Sequence, residues 1–385
     1  MTDLEHILPL WSELETSGSD YVLATVVAVE GSSYRKPGAR MLLSHDGRRA
    51  GTVSGGCLEA EVTRRAWWLT NEGPVVERYS TLEDDGDLPY GSGCGGVVYI
   101  LLERRKTATL LIAALKACFD RRMPLAIATI LEGPRIGERA FAGLPSRAED
   151  APTPPVIATE ADLTLQEFAE ESLQGRRSFE EAIAMPNGSA HVWVDYRAAR
   201  PGLWIFGAGD DAKPLVRVAR ELGWFVAVAD GRTHLATRDR FPAADDVRAL
   251  KISELPGAAG DQLAVLPTDA AILITHSFEQ DSHILASLLG NSHEFSFAYV
   301  GVLGPQRRTR EALAEAARLL HLAPSADRVE RWLAQIYAPI GIDLGADTPA
   351  SIALSILAEI QQTLNAATAL PLRQVRAHPL PVAQD

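Results

Sequence analysis

The first long apolar run, YVLATVVAVEG (Tyr21–Gly31), follows a short amphipathic opening and holds too many apolar positions for a strand with one wet face. A turn-like SSYRKPG comes next, and a second strand, ARMLLS, follows Pro37. A DGR turn leads into AGTVSGG, a third extended stretch that stops at glycines. In CLEAEVTRRAWWL the apolar residues change to helical spacing with acids near the start, predicting a helix entered through Gly55 and Gly56. A second glycine cluster, GSGCGG (Gly91–Gly96), precedes VVYILLE, a further buried strand, while EDDGD (Glu83–Asp87) before it reads as a solvated loop. A helix over Thr107–Phe119 and a strand over Pro124–Leu131 continue the pattern. From Leu144 to Ala190 no period is visible, and PTPP at Pro152–Pro155 suits an excursion or a linker.

The pattern changes sharply at RPGLWIFGAGDDAKPLVRVARELGWFVAVADGR, which reads as strand, glycine turn, helix and strand. That is the opening unit of a doubly wound parallel sheet. Strands over Ala270–Thr275 and Phe297–Val302, each followed by a helical pattern, extend it. The expected fold class is α/β: a C-terminal Rossmann-like half behind an N-terminal mixed α+β domain. The expected boundaries are residues 1–198 and 199–345, with a helix at 346–367 docking back and a tail at 368–385.

The chain of 385 residues has 37 basic and 50 acidic side chains, a net charge of −13. That balance disfavours a nucleic-acid partner. The opening MTDLEHILPLW has no basic stretch or apolar leader core, and no uncharged apolar run is long enough to span a membrane, so a cytoplasmic protein is expected. Three cysteines (Cys57, Cys94, Cys118) form no CxxC pair, against a disulfide framework or a four-cysteine zinc site.

Four strings carry candidate chemistry. Gly207, Gly209 and Ala212 form a GxGxxA turn, with Asp230 at 230 − 209 = 21 residues beyond the second glycine, where an acid can bind a ribose hydroxyl. Asp210 and Asp211 suit a helix cap but repel a pyrophosphate. In SGGCLE, Ser54, Gly55, Gly56, Cys57 and Glu59 surround a helix start, where a thiolate is favoured. The alternative is that Cys57 is a small packed residue; Cys94, in its own glycine loop, poses the same choice, whereas Cys118 sits on an apolar helix face. THSFEQD places Thr275 and His276 at a strand end, His276 as a general acid or a metal ligand and Asp281 as an orienting carboxylate. In YVGVLGPQRRTRE, Gly301 and Gly304 precede Arg307, Arg308 and Arg310, either a phosphate site or an exposed basic helix start. Thr348 and Pro349 read as an N-cap and first-turn pair. No GxSxG, HExxH or GxxxxGK[ST] string is present.

Together, VVAVEGSSYRKPGARML, GTVSGGCLEAEV, GSGCGG, WIFGAGDDAKPL, VADGR, THSFEQD, YVGVLGPQRR and APIGIDLGADTPASIALSILAEI resemble the XdhC/CoxI family, accessory proteins of molybdenum hydroxylases. The resemblance implies a homodimeric chaperone, more a maturation factor than an enzyme. It would bind the molybdenum cofactor (molybdopterin) as cargo, shield it while a desulfurase-supplied sulfido ligand is installed, and deliver it to a xanthine-dehydrogenase-type apo-enzyme. Cys57 and Cys94 would then contact molybdenum or sulfur, and the Rossmann half would take NAD(P) or a cytidine nucleotide. The competing reading is an NAD(P)-dependent oxidoreductase, which leaves both cysteine loops without a role.

Overall fold

The computed structural model describes residues 2–56, 58–80, 96–145, 159–185, 188–255, 265–289, 294–295 and 297–375; Cys57 and Cys94 lie outside them. The chain divides into two compact units, Met1–Arg200 and Pro201–Asp385.

The first unit opens with helix α1 (Thr2–Ser17) and continues through β1 (Tyr21–Gly31), β2 (Arg40–Ser44), β3 (Arg49–Gly51), α2 (Glu59–Leu69), β4 (Val75–Ser80), β5 (Gly96–Arg104) and α3 (Arg105–Arg121). These strands pair in the order β3-β2-β1-β5-β4, antiparallel throughout. Alternate residues of β1 explain its apolar density, because both faces are covered. Tyr21 and Leu23 point into a cluster with Ile7 of α1 and Ile112 of α3, while Val22, Ala24 and Val26 meet Val62 and Ala66 of α2. A second antiparallel sheet is made of β6 (Leu125–Ile130), β7 (Arg139–Ala142), β8 (Phe179–Met185) and β9 (Gly188–Arg197), in the order β7-β6-β9-β8. It packs Ala126, Ala128 and Val194 on Leu165 and Ala169 of α4 (Glu160–Gly175).

The stretch from Leu144 to Ala190 is therefore not a featureless linker: it supplies α4, β8 and the start of β9. The helix announces itself through Thr159 and Asp162, which form a reciprocal capping box, and through buried Leu165, Ala169 and Ser172 one turn apart.

The second unit runs β10 (Gly202–Phe206), α5 (Ala212–Glu221), β11 (Phe225–Asp230), β12 (Asp246–Ala249), β13 (Ala270–Leu273), α6 (Phe278–Leu289), β14 (Tyr299–Val302), α7 (Gln306–Leu319), α8 (Ala326–Leu333) and α9 (Pro349–Leu364). All five strands are parallel, in the order β12-β11-β10-β13-β14. Leu203 and Ile205 face α5 and α9, whereas Trp204 and Phe206 face α6, α7 and α8. Helices thus cover both sides of the sheet, as a Rossmann fold requires. Beyond β14, Tyr337 lies along the sheet edge: its amide donates to Val300 O (2.8 Å) and its carbonyl accepts from Val302 N (2.9 Å). Among the described residues, no helix is long and apolar enough to cross a membrane.

Helix α9 begins in a second capping box, with Thr348 Oγ1 accepting from Ser351 N and Pro349 in the first turn. Its Ile356, Leu357 and Ile360 pack on the layer built by α5. Thr348→Ala should lower the stability of this unit by about 1 kcal/mol without altering its fold. Urea unfolding followed by circular dichroism checks this, and an unchanged midpoint would show that packing alone sets the helix start.

Candidate functional site

In an open parallel sheet, ligands bind beyond the carboxyl ends of the strands where the strand order reverses. Here that point lies between β10 and β13. Gly207 leaves β10 with φ +127°, and a Cβ there would sit 2.5 Å from Ile274 O, so only glycine allows the two strand ends to approach this closely.

Asp230 closes β11 beneath this turn and is fully buried. Its Oδ2 accepts from Ala208 N and Arg232 Nη2, each at 2.7 Å, and its Oδ1 from Arg232 N (2.8 Å) and Nε (3.0 Å). Burial pushes the carboxyl up, but the Arg232 guanidinium and the two amides outweigh it and hold Asp230 below the usual aspartate range. Arg232 Nη2 also reaches Thr275 O at 3.3 Å. Thr275 Oγ1 donates to Asp281 Oδ1 (2.6 Å), whose Oδ2 pairs with Arg308 Nη2 (2.7 Å). Burial raises the Asp281 carboxyl above its usual value despite these partners. One hydrogen-bonded chain therefore runs from the glycine turn to α7, and Arg308 passes beside Gly304 at the end of β14.

His276 follows Thr275 in the left-handed region (φ +58°), an unusual conformation for a residue with a side chain. Its ring is largely exposed, and Nε2 lies 2.8 Å from Asp211 Oδ2. Asp211 occupies the N-cap position of α5 without a side-chain cap bond. Asp210 pairs with Lys213 (2.8 Å) and Arg240 (3.0 Å). Of the two readings of these aspartates, capping holds for Asp211 in position only: the side chains of both turn to cations and to His276 rather than to helix amides. Gly209, whose Cβ would sit 2.5 Å from Asp211 Oδ1, belongs to the same crowded turn. Arg307 pairs with Glu311 and Arg310 with Glu330, so of the three arginines after Gly304, Arg308 joins the crevice network.

The first unit carries its own candidate loop. Glu59, 2% exposed, accepts Ser54 N (2.8 Å) and Val53 N (3.2 Å) on Oε1 and the Ser54 hydroxyl on Oε2. Ser54 Oγ in turn accepts Gly56 N and Leu58 N, each at 3.1 Å. Burial raises the Glu59 carboxyl, but the Ser54 hydroxyl and the backbone amides outweigh it and keep it below the usual glutamate range. Gly56 has φ +114°, and Gly55 lies against the ring of Tyr34. Gly96, where the GSGCGG string enters β5, pairs with Gly31 and leaves no room for a Cβ beside Ser32 O. The Gly31–Tyr34 segment thus lies beside both Gly55 and Gly96. Cys118 is buried on α3, its thiol pushed up to about 11 by burial, as its apolar helix face predicted.

Sequence reasoning passed over Arg232, Gln280, which holds Gly231 N at 3.0 Å, and the buried arginines Arg40 and Arg139. Arg232 was legible in the DGR that follows the second strand. Arg40 and Arg139 pair with Asp195 and Glu103, which stand 155 and 36 positions away.

A family model described as the XdhC Rossmann domain matches residues 203–360, and one described as the XdhC and CoxI family matches residues 14–80. A Bacillus subtilis protein described as a probable subunit of xanthine dehydrogenase is 30% identical over 346 residues, covering 89% of this chain and 92% of its own. The chain belongs to the XdhC and CoxI family. An Escherichia coli relative, the molybdenum cofactor insertion chaperone PaoD, is 31% identical over 134 residues, 32% of this chain and 39% of PaoD. A Bacillus halodurans crystal structure described as a xanthine dehydrogenase superposes with a TM-score of 0.69 at 27% identity, covering 97% of this chain and 100% of that one. The XdhC and CoxI match spans the Ser54–Glu59 loop, and the Rossmann-domain match spans the Gly207–Gly304 crevice.

A carboxylate held below its ordinary pKa stabilises the fold above its unfolded value, and that contribution disappears as pH falls through the folded value. Glu59→Gln should therefore cost about 1.5–3 kcal/mol at neutral pH, with the gap to the parent protein closing under acid conditions. Thermal melts across pH test this; a gap that stays constant into acid would remove the charge from the explanation.

Proposed function

We propose that this chain binds the molybdenum cofactor and passes it to a xanthine-dehydrogenase-type enzyme. The observation that carries the reading is the loop around Glu59. A buried carboxylate and the Ser54 hydroxyl fix the amides of Ser54, Gly56 and Leu58, on either side of Cys57, at the entrance to α2. A thiol flanked by such a rigid, glycine-rich turn suits a soft metal or a sulfur donor. The chaperone PaoD, matched over part of the chain, supports the same cargo. Sulfuration of the cargo by a cysteine desulfurase, roles for Cys57 and Cys94 as sulfur or molybdenum contacts, a homodimeric state and a cytoplasmic setting belong to this reading.

The crevice in the second unit gives less support to NAD(P) or a cytidine nucleotide. Its Ala208 amide is engaged by Asp230, and Asp210 and Asp211 stand where a pyrophosphate would need donors. An NAD(P)-dependent oxidoreductase would need that turn free.

Mixing the purified protein with molybdopterin and an apo-xanthine dehydrogenase should activate the enzyme, with cofactor coeluting with the chain on gel filtration. Cys57→Ala should lose most of that transfer while its melting temperature stays unchanged. No retained cofactor and no activation would end the proposal, whereas normal transfer by Cys57→Ala would remove the thiol from it.

A further inference from the structure

The loop from Ser32 to Gly38 joins β1 to β2 and takes no part in the Glu59 turn beyond the contact of Tyr34. Beneath it lies a cluster of cations that no step above uses. Arg40, at the start of β2, is 4% exposed, and its Nη2 donates to Asp195 Oδ2 at 3.0 Å. Arg197, at the end of β9, donates its Nε to that same oxygen at 2.7 Å. Two guanidinium groups thus share one carboxylate, itself 2% exposed. Gly38 makes the arrangement possible: a Cβ there would fall 1.1 Å from Arg197 Nη2.

The charge is left uncompensated. Burial, with the repulsion of Arg197 second, pulls the Arg40 guanidinium down to about 10. Arg35 Nε, Arg40 Nε and Arg197 Nη2 are buried donors with no acceptor. A buried unpaired donor costs on the order of 1–3 kcal/mol, so such groups are retained where something else satisfies them. All three arginines line a cavity of about 330 Å³ together with Asp3, Tyr34 and Lys36. Arg35, Lys36, Arg40 and Arg197 stand against Asp3 and Asp195, leaving two positive charges in excess at one place in a chain of net charge −13.

We propose that this cavity is an anion receptor for a phosphate monoester. Such a group brings nearly two negative charges and three strong acceptor oxygens, and guanidinium forks match it in geometry as well as charge. The cavity exceeds the needs of the phosphate alone and leaves space for the body of the molecule that bears it. Resting on the function proposed above, the ligand is the terminal phosphate of the pterin cargo, held by Arg40 and Arg197 with Lys36 at the rim.

Calorimetric titration of the full chain with inorganic phosphate tests the receptor. Phosphate should bind once per chain, with acetate at the same ionic strength at least about tenfold weaker, as its single charge dictates. Arg197→Gln should weaken phosphate by about tenfold or more, and Lys36→Gln, a change on an exposed side chain, should weaken it at an unchanged melting temperature. Saturable phosphate binding that is equal in both variants, or no binding at all, overturns the receptor. The second arm compares molybdopterin with its dephosphorylated form for retention on gel filtration. Preference for the phosphorylated form, lost in Arg197→Gln, supports the assignment, and equal retention of the two forms sinks it. Phosphate binding by a protein that retains neither form would sink the cargo reading and leave the receptor standing.

Discussion

A carboxylate buried out of water must be surrounded by donors, and the second unit is organised around meeting that demand at Asp230. Its two oxygens draw in the Ala208 amide from the end of β10 and both the amide and guanidinium of Arg232. Arg232 reaches on to the Thr275 carbonyl at the end of β13, so three strand ends are fixed by one anion. Thr275, Asp281 and Arg308 then carry the same logic to α7. The crevice geometry follows from this chain of obligations more than from any single motif residue.

The first unit repeats the device in an antiparallel setting. Glu59 sits at the first turn of α2, where the helix dipole favours an anion, and reaches back to Val53 and Ser54. Ser54 relays the constraint to Gly56 and Leu58. In both units a flexible glycine turn becomes a defined surface because an acid behind it has few alternative partners. Arg40 and Arg197 present the opposite charge balance around Asp195, and they lie in the same unit as the Glu59 loop.

The parallel sheet was legible in the sequence because strand, glycine turn, helix and strand follow one another with nothing between them, and the β10–β11 pairing is local in sequence. Gly207, Gly209 and Asp230 were legible from the GxGxxA turn and the spacing to the acid, and Thr275 and His276 from their place at a strand end. Strand β12 was not legible, since DVRA is short, only partly buried and without an apolar period. Helix α4 was not legible because its buried face is carried by small or polar residues, Ala169 and Ser172, as well as Leu165, which leaves little apolar period. The pairing of Arg40 with Asp195 was beyond reach, because a charge in a strand reads as solvent-facing until its partner, 155 residues away, is placed. Asp211 was visible, but its bond to His276 depends on a left-handed backbone that no local pattern announces.

The segment at Tyr337 has a bearing on self-association. A bare outer strand is a template on which another chain can add its own, the usual route to unwanted sheet extension. Along β14 that row of donors and acceptors is already engaged by Tyr337 and Ile340, and the Tyr299 and Tyr337 rings stack 4.3 Å apart over it. Copies of this chain therefore cannot join by strand addition at that margin while the segment stays in place. Loosening it, for example by a substitution at Gly301, where a Cβ would strike Ile340, would convert a closed margin into an aggregation-prone one.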